Sequence, residues 1–134
     1  MNIIELRGIN KVYGTGDNQV RVLKDVNLDI ESGDFVAIIG QSGSGKSTLM
    51  NILGCLDTAS SGNYKIAGES VAGMTPDQHA TLRSQYLGFI FQRYNLLSTL
   101  SAEANVELPA IYSGLKHPER QARAKELLTD LDLG

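Results

Sequence analysis

Polar and apolar positions alternate strictly between Asp25 and Ile30. Val26, Leu28 and Ile30 share one side, and Asp25, Asn27 and Asp29 share the other. A period of two predicts a strand with one wet face, here over residues 20–30. Residues 2–13, NIIELRGINKVY, alternate in part, with Ile4, Leu6 and Ile9 expected inward. GTGD (14–17) and ESGD (31–34) are turn signals. FVAIIG (35–40) differs in kind: it is continuously apolar and β-branched, the pattern of a strand buried on both faces. LGFIFQ (87–92) is a second candidate of that type.

From Lys46 the period becomes helical. Leu49, Ile52 and Leu53 fall on one face, and Gly54 is placed to cap the C-terminus. SSGNYKIAGESV (60–71) returns to strand and turn signals. Residues 75–85 predict a short helix, with Thr75 as N-cap, Pro76 at the first position and Gln78 completing a capping box. Ser101 is expected to cap a helix that Pro109 kinks or ends. Residues 118–131 carry the clearest helical stripe, Ala124, Leu127, Leu128 and Leu131, with Glu119 four residues before Arg123.

The composition narrows the function classes. The chain has 134 residues, of which 42% are hydrophobic and 20% charged, as in a globular domain. A net charge of −3 provides no global basic field, so no nucleic-acid partner is expected and any grip on a polyanion must be local. Cys55 is the only cysteine, which excludes an internal disulfide; packing is its expected role. The opening residues lack the pattern of a signal peptide, and no apolar run reaches the roughly 18 residues of a membrane span. His79 and His117 are isolated in sequence and expected to be solvated. The charged segment 116–126 is expected to be the wet face of its helix.

Residues 40–47, GQSGSGKS, match G-x-x-x-x-G-K-S/T, and a buried-type strand precedes the match while a helix begins within it. The spacing has a physical reason. A polyphosphate presents many acceptor oxygens, and backbone N–H groups can meet them only if the chain wraps tightly. Gly40, Gly43 and Gly45 permit that wrap, with Gln41, Ser42 and Ser44 between them. The helix start adds unpaired N–H groups and the positive end of its dipole. Lys46 supplies a full charge for the β- and γ-phosphates, Ser47 offers a hydroxyl to Mg2+, and Thr48 can reach the α-phosphate region. A bare glycine turn would need neither the lysine nor the serine at those offsets.

With GQSGSGKST, the segments KVYGTG, VRVLKDV and LGFIFQ carry a family resemblance: the chain is similar to ABC-transporter ATPases. The resemblance implies an α/β P-loop NTPase fold with an N-terminal antiparallel β subdomain and part of a central parallel sheet flanked by helices. It divides the chain into 1–34 (mainly antiparallel β), 35–92 (the core up to the Q-loop) and 93–134 (the start of a helical subdomain), together the N-terminal part of one nucleotide-binding domain. Tyr13 falls where the family stacks an aromatic on adenine, and Val22 where it packs an aliphatic side chain beside the same ring. Gln92 matches the Q-loop glutamine, whose amide reaches Mg2+ or the attacking water and whose loop contacts the membrane domain. MNILGCLD and FIFQRYNLLSTLSAEANVELPAIYSGL resemble the MacB-like branch of macrolide and peptide exporters, with LolD-type lipoprotein-release ATPases close by.

The resemblance further implies ATP and Mg2+ as ligands, a second ATP-binding domain as homodimer partner and a transmembrane domain docked at the Q-loop region. It also implies a periplasmic adaptor and outer-membrane channel reached through the full-length protein, and a location at the cytoplasmic face of a bacterial inner membrane. Two other classes stand beside this reading. A P-loop kinase fits less well because of the N-terminal antiparallel strands and Gln92, and a GTPase because NKVY (10–13) lacks the Asp of a guanine reader and precedes the phosphate loop. An interaction fragment that ignores nucleotide would be indifferent to Lys46.

No apolar run ends in Asp-Glu, and the LSGGQ signature and switch histidine of the family are also missing. A metal-holding Asp and a water-positioning carboxylate are parts that phosphoryl transfer needs. The chain is therefore expected to be the N-terminal part of something longer. By itself it is expected to release no phosphate from ATP in a steady-state assay with Mg2+; robust turnover would contradict this.

Overall fold

The first two strands are long and paired with each other. β1 (Asn2–Tyr13) and β2 (Val20–Glu31) run antiparallel in the computed structural model, which describes residues 1–134. β3 (Ser61–Ile66) adds to the other edge of β1, and β4 (Glu69–Ser70) pairs with β3, giving the order β2-β1-β3-β4, antiparallel throughout. The alternation read in β2 holds: Val26, Leu28 and Ile30 are half-buried while Asp25, Asn27 and Asp29 are exposed. In β1, Leu6 and Ile9 are both fully buried although an odd spacing should put them on opposite faces. A register shift between them resolves the conflict. Gly8, at φ 58°, takes the left-handed conformation of a β-bulge and returns Ile9 to the core face.

The chain forms two compact units, Met1–Tyr86 and Leu87–Gly134. In the first, Leu6, Ile9, Ile52 and Ile66 form the driest part of the core, each contributing on the order of 1.5–3 kcal/mol by burial. Ile52 comes from α1 (Lys46–Leu53). This helix ends as the glycine suggested, with a refinement. Gly54 is the cap, but the left-handed residue is Cys55, at φ 54°. The Leu56 N–H donates to the Asn51 carbonyl (2.9 Å) and the Cys55 N–H to that of Ile52 (3.0 Å), a Schellman arrangement. Cys55 is buried, as expected, and burial raises its thiol pKa, partly opposed by Arg83.

Two carbonyls at this end are satisfied from elsewhere. The Tyr64 hydroxyl on β3 donates to the Leu53 carbonyl at 2.7 Å, and Arg83 Nη1 donates to that of Cys55 at 2.6 Å. Burial also holds the Tyr64 phenol well above its ordinary pKa, with the nearby Cys55 adding to the effect.

α2 (Pro76–Tyr86) begins with the predicted capping box: the Thr75 N–H donates to Gln78 Oε1 (2.8 Å) and the Gln78 N–H to Thr75 Oγ1 (3.3 Å). His79 corrects the sequence expectation. It is buried, not solvated, because it shares a helix face with buried Leu82, and its Nε2 lies 3.2 Å from the Val71 carbonyl oxygen.

In the second unit, Ser101 Oγ accepts from the Ala104 N–H (3.1 Å) and opens α3 (Ala102–Tyr112). Pro109 does not end this helix, which runs to Tyr112. Asn105 fastens the preceding loop: its Oδ1 accepts from the Leu97 N–H (2.9 Å), and its Nδ2 donates to the Leu97 (3.1 Å) and Ser101 (2.9 Å) carbonyls. α4 (His117–Asp130) packs against α3. Its charges are not all wet. Arg120 Nε donates to Glu107 Oε2 on α3 at 3.0 Å, with His117 3.7 Å from the same oxygen. Arg123 pairs with Glu126 (2.7 Å), three residues on, rather than with Glu119. Of the apolar stripe only Ala124 is fully buried.

The expected pieces of a parallel sheet are not formed. Phe35–Gly40 and Leu87–Gln92 make no strand ladder, and Phe35, Ile39 and Ile90 are more than 90% exposed. An apolar run becomes a buried strand only where other strands pair with its edges and further layers cover its faces. Neither segment has a strand beside it here.

Tyr64→Phe isolates the hydroxyl contact. Leaving the Leu53 carbonyl unpaired in a dry site should cost about 1–2 kcal/mol, read as a lower urea midpoint with an unchanged slope.

Candidate functional site

Residues 40–48 lead into α1 and crowd against β2. Gly43 and Gly45 both have positive φ, 79° and 95°. At Gly45 the conformation is coupled to close packing. A methyl group there would lie 3.0 Å from Leu23 Cδ2, 3.1 Å from the Val22 carbonyl oxygen and 3.4 Å from Val22 Cγ1. Only glycine meets both demands. Val22, half-buried, therefore stands beside the phosphate-loop candidate.

Within the loop, the Ser44 N–H donates to the Gln41 carbonyl (3.1 Å), and the Leu49 N–H to that of Gly45 (2.9 Å). The N–H groups of Gly43, Gly45, Lys46, Ser47 and Thr48 have no acceptor in the protein. Five consecutive or nearly consecutive donors at a helix start, with the dipole behind them, form a site for an anion with several acceptor oxygens. Lys46 bends over this loop: its Nζ donates to the carbonyls of Gly40 and Gln41 (2.6 Å to the latter) and to Ser44 Oγ (3.3 Å). Gln41, Ser42 and Ser47 are exposed, and Thr48 is half-buried.

Tyr13 closes β1, opposite Val20. Its ring is partly open, and its hydroxyl donates to Asp57 Oδ2 at 3.0 Å. Lys11 Nζ stands 5.0 Å from the ring centroid, 2.9 Å from Asp57 Oδ1 and 2.7 Å from the Thr58 carbonyl oxygen. Burial pushes the Asp57 carboxyl up, but hydrogen bonds from Lys11, the Thr58 N–H and Tyr13, with the Lys11 charge, hold it below its ordinary value. Lys11 and Asp57 escaped the sequence reading. The two-residue step from Lys11 to Tyr13 was available as a signal; the partner 44 positions further on was not. Gln92 is exposed in the second unit, and its role rests on sequence alone.

The family described as ABC transporter matches residues 23–134. This chain belongs to the ABC transporter family. Its relatives carry the same theme. It is 63% identical over 133 residues to the macrolide export ATP-binding/permease protein MacB of Neisseria gonorrhoeae, covering 99% of this chain and 21% of that protein. Against MacB of Mannheimia succiniciproducens the identity is 64%, again over 99% of this chain and 21% of the relative. Against MacB 1 of Escherichia coli O1:K1 / APEC it is 58%, over 98% and 20%. The chain thus spans about a fifth of the length of these curated relatives.

Among solved structures, the chain superposes on the ATP-binding cassette MJ0796 in a dimeric post-hydrolysis state bound to ADP and Pi. The TM-score is 0.85 at 40% identity, covering 94% of this chain and 56% of that one. A second dimeric structure of the same bacterial ABC transporter cassette gives 0.86 at 41%, with the same coverage. The α/β cassette fold and the exporter-branch resemblance both follow, and an ABC ATPase domain carries a nucleotide site.

Gly45→Ala tests the loop geometry. Strain at positive φ and the contacts with Val22 and Leu23 should cost about 1–3 kcal/mol, seen as a lower melting temperature and weakened nucleotide binding.

Proposed function

We infer that this chain is the ATP-binding portion of an ABC exporter of the MacB type, acting at the cytoplasmic face of a bacterial inner membrane on macrolides or peptides. The observation that carries the reading is the set of unpartnered N–H groups at Gly43, Gly45, Lys46, Ser47 and Thr48, beside the Lys46 ammonium. Relatives named for macrolide export, at 63% identity, support the substrate class.

In this reading the free amides of Gly43 and of residues 45–48 bind the phosphates. Lys46 exchanges its loop carbonyls for β- and γ-phosphate oxygens, an exchange of neutral acceptors for charged ones that favours the bound form. The exposed Ser47 hydroxyl and the Gln92 amide have the oxygen chemistry that Mg2+ prefers, and the ion would neutralise developing charge on the phosphates. Tyr13 offers a ring face to adenine with Val22 alongside. Two such domains pair as a homodimer, in keeping with the dimeric cassettes that the fold matches, and the Q-loop region docks the transmembrane part. A periplasmic adaptor and an outer-membrane channel complete the export route. The whole protein is an ATPase whose hydrolysis drives transport.

Lys46→Ala in the full-length native protein should weaken ATP binding about 10- to 100-fold and abolish hydrolysis. In cells, expression of the native protein should raise macrolide tolerance and the variant should not. Unchanged binding would sink the nucleotide reading. Intact ATPase activity without any macrolide phenotype would sink only the substrate class.

A further inference from the structure

Lys11, Tyr13 and Asp57 form a cluster that the phosphate contacts do not use. Lys11 and Tyr13 stand two residues apart on β1 and so share a face. Asp57 receives both: Oδ1 takes the Lys11 ammonium at 2.9 Å and Oδ2 the Tyr13 hydroxyl at 3.0 Å. A tyrosine ring has two torsions to fix, and anchoring the hydroxyl at its far end restrains both. The ammonium stands over one face of the ring, 5.0 Å from its centroid, and Tyr13 remains 42% exposed.

Asp57 is itself held. Its N–H donates to the Asn51 carbonyl (3.2 Å), and its Oδ1 also accepts from the Thr58 N–H (2.8 Å). It therefore sits immediately beyond the capped end of α1, the helix whose first residue is Lys46. The ring and the anion-binding amides are braced by opposite ends of one short rigid element.

Stability alone is a weak reason for this arrangement. Tyr13 is 42% exposed, so fixing the orientation of its ring buries little apolar surface. We propose that Asp57, with Lys11, is a positioning residue that orients the Tyr13 ring as a one-sided platform for the adenine base and ties that platform to the helix of the phosphate loop. The proposal rests on the reading of Tyr13 given under the proposed function.

The test compares ATP with inorganic tripolyphosphate, which has phosphates but no base. Affinities for both are measured by calorimetry with Mg2+ on the full-length native protein. Tyr13→Ala should weaken ATP about 5- to 150-fold, the range of a lost base stack, and leave tripolyphosphate unaffected. Asp57→Ala should weaken ATP about 3- to 10-fold, leave tripolyphosphate unaffected, and add nothing in the Tyr13→Ala background, where there is no ring to orient. Asp57→Asn keeps an acceptor for the hydroxyl and should recover most of the loss. Tyr13→Phe removes a single exposed oxygen and asks the same question should Asp57→Ala unfold; it too should weaken ATP about 3-fold and spare tripolyphosphate.

An Asp57→Ala or Tyr13→Phe protein that binds ATP normally overturns the proposal. So does an Asp57→Ala loss shared equally by tripolyphosphate, or one that persists without Tyr13. Should Tyr13→Ala bind ATP normally, the base-platform reading itself fails, a result separable from a failure confined to Asp57.

Discussion

Amides that find no acceptor within their own chain are the constraint around which the first unit is arranged. At Gly43 and from Gly45 to Thr48 the backbone N–H groups meet no acceptor in the chain, and only Ser44 between them is paired, to Gln41. Left in a dry site such groups are costly; at a solvated helix start they are available to an anion. Everything close by holds that loop in place. β2 supplies the wall through Val22 and Leu23, which leaves no room for a side chain at Gly45. α1 carries the loop's far end and is itself locked by a Schellman cap, the Tyr64 hydroxyl and Arg83.

The sheet serves this arrangement by joining distant parts of the chain. β1 lies between β2 and β3, so one strand touches both the wall of the loop and the core beneath α1. Its last residue, Tyr13, reaches Asp57 just past the end of that helix. The ring proposed to meet the base and the amides proposed to meet the phosphates are thereby referred to the same rigid helix, as a ligand with a flat end and a charged end would require.

Much of the local structure was legible in the residues themselves. The β2 alternation, the Thr75–Gln78 box and the Ser101 cap each depend on side chains within a few positions, and each is present. The candidate phosphate loop was visible for the same reason: its glycines, lysine and serine are contiguous. Legibility failed where a partner lay far along the chain. His79 looked solvated until the Val71 carbonyl covered it, and Arg120 looked wet until Glu107 on α3 met it. The apolar runs at 35–40 and 87–92 announced burial, yet burial needs strands paired along their edges, and here neither run joins a sheet.

By itself, then, the sequence determined the type and rough extent of nearly every helix and antiparallel strand, and the placing of a glycine-rich loop at the start of a helix over residues 40–48. Those features arise from local periodicity, capping and backbone permissiveness, which short stretches encode directly. Tertiary structure alone decided that a bulge at Gly8 returns Ile9 to the core, that Cys55 rather than Gly54 takes the left-handed turn, and that Lys11 and Asp57 clasp Tyr13. Those outcomes depend on which distant atoms arrive within about 3 Å of one another, and spacing along a chain carries no such distance.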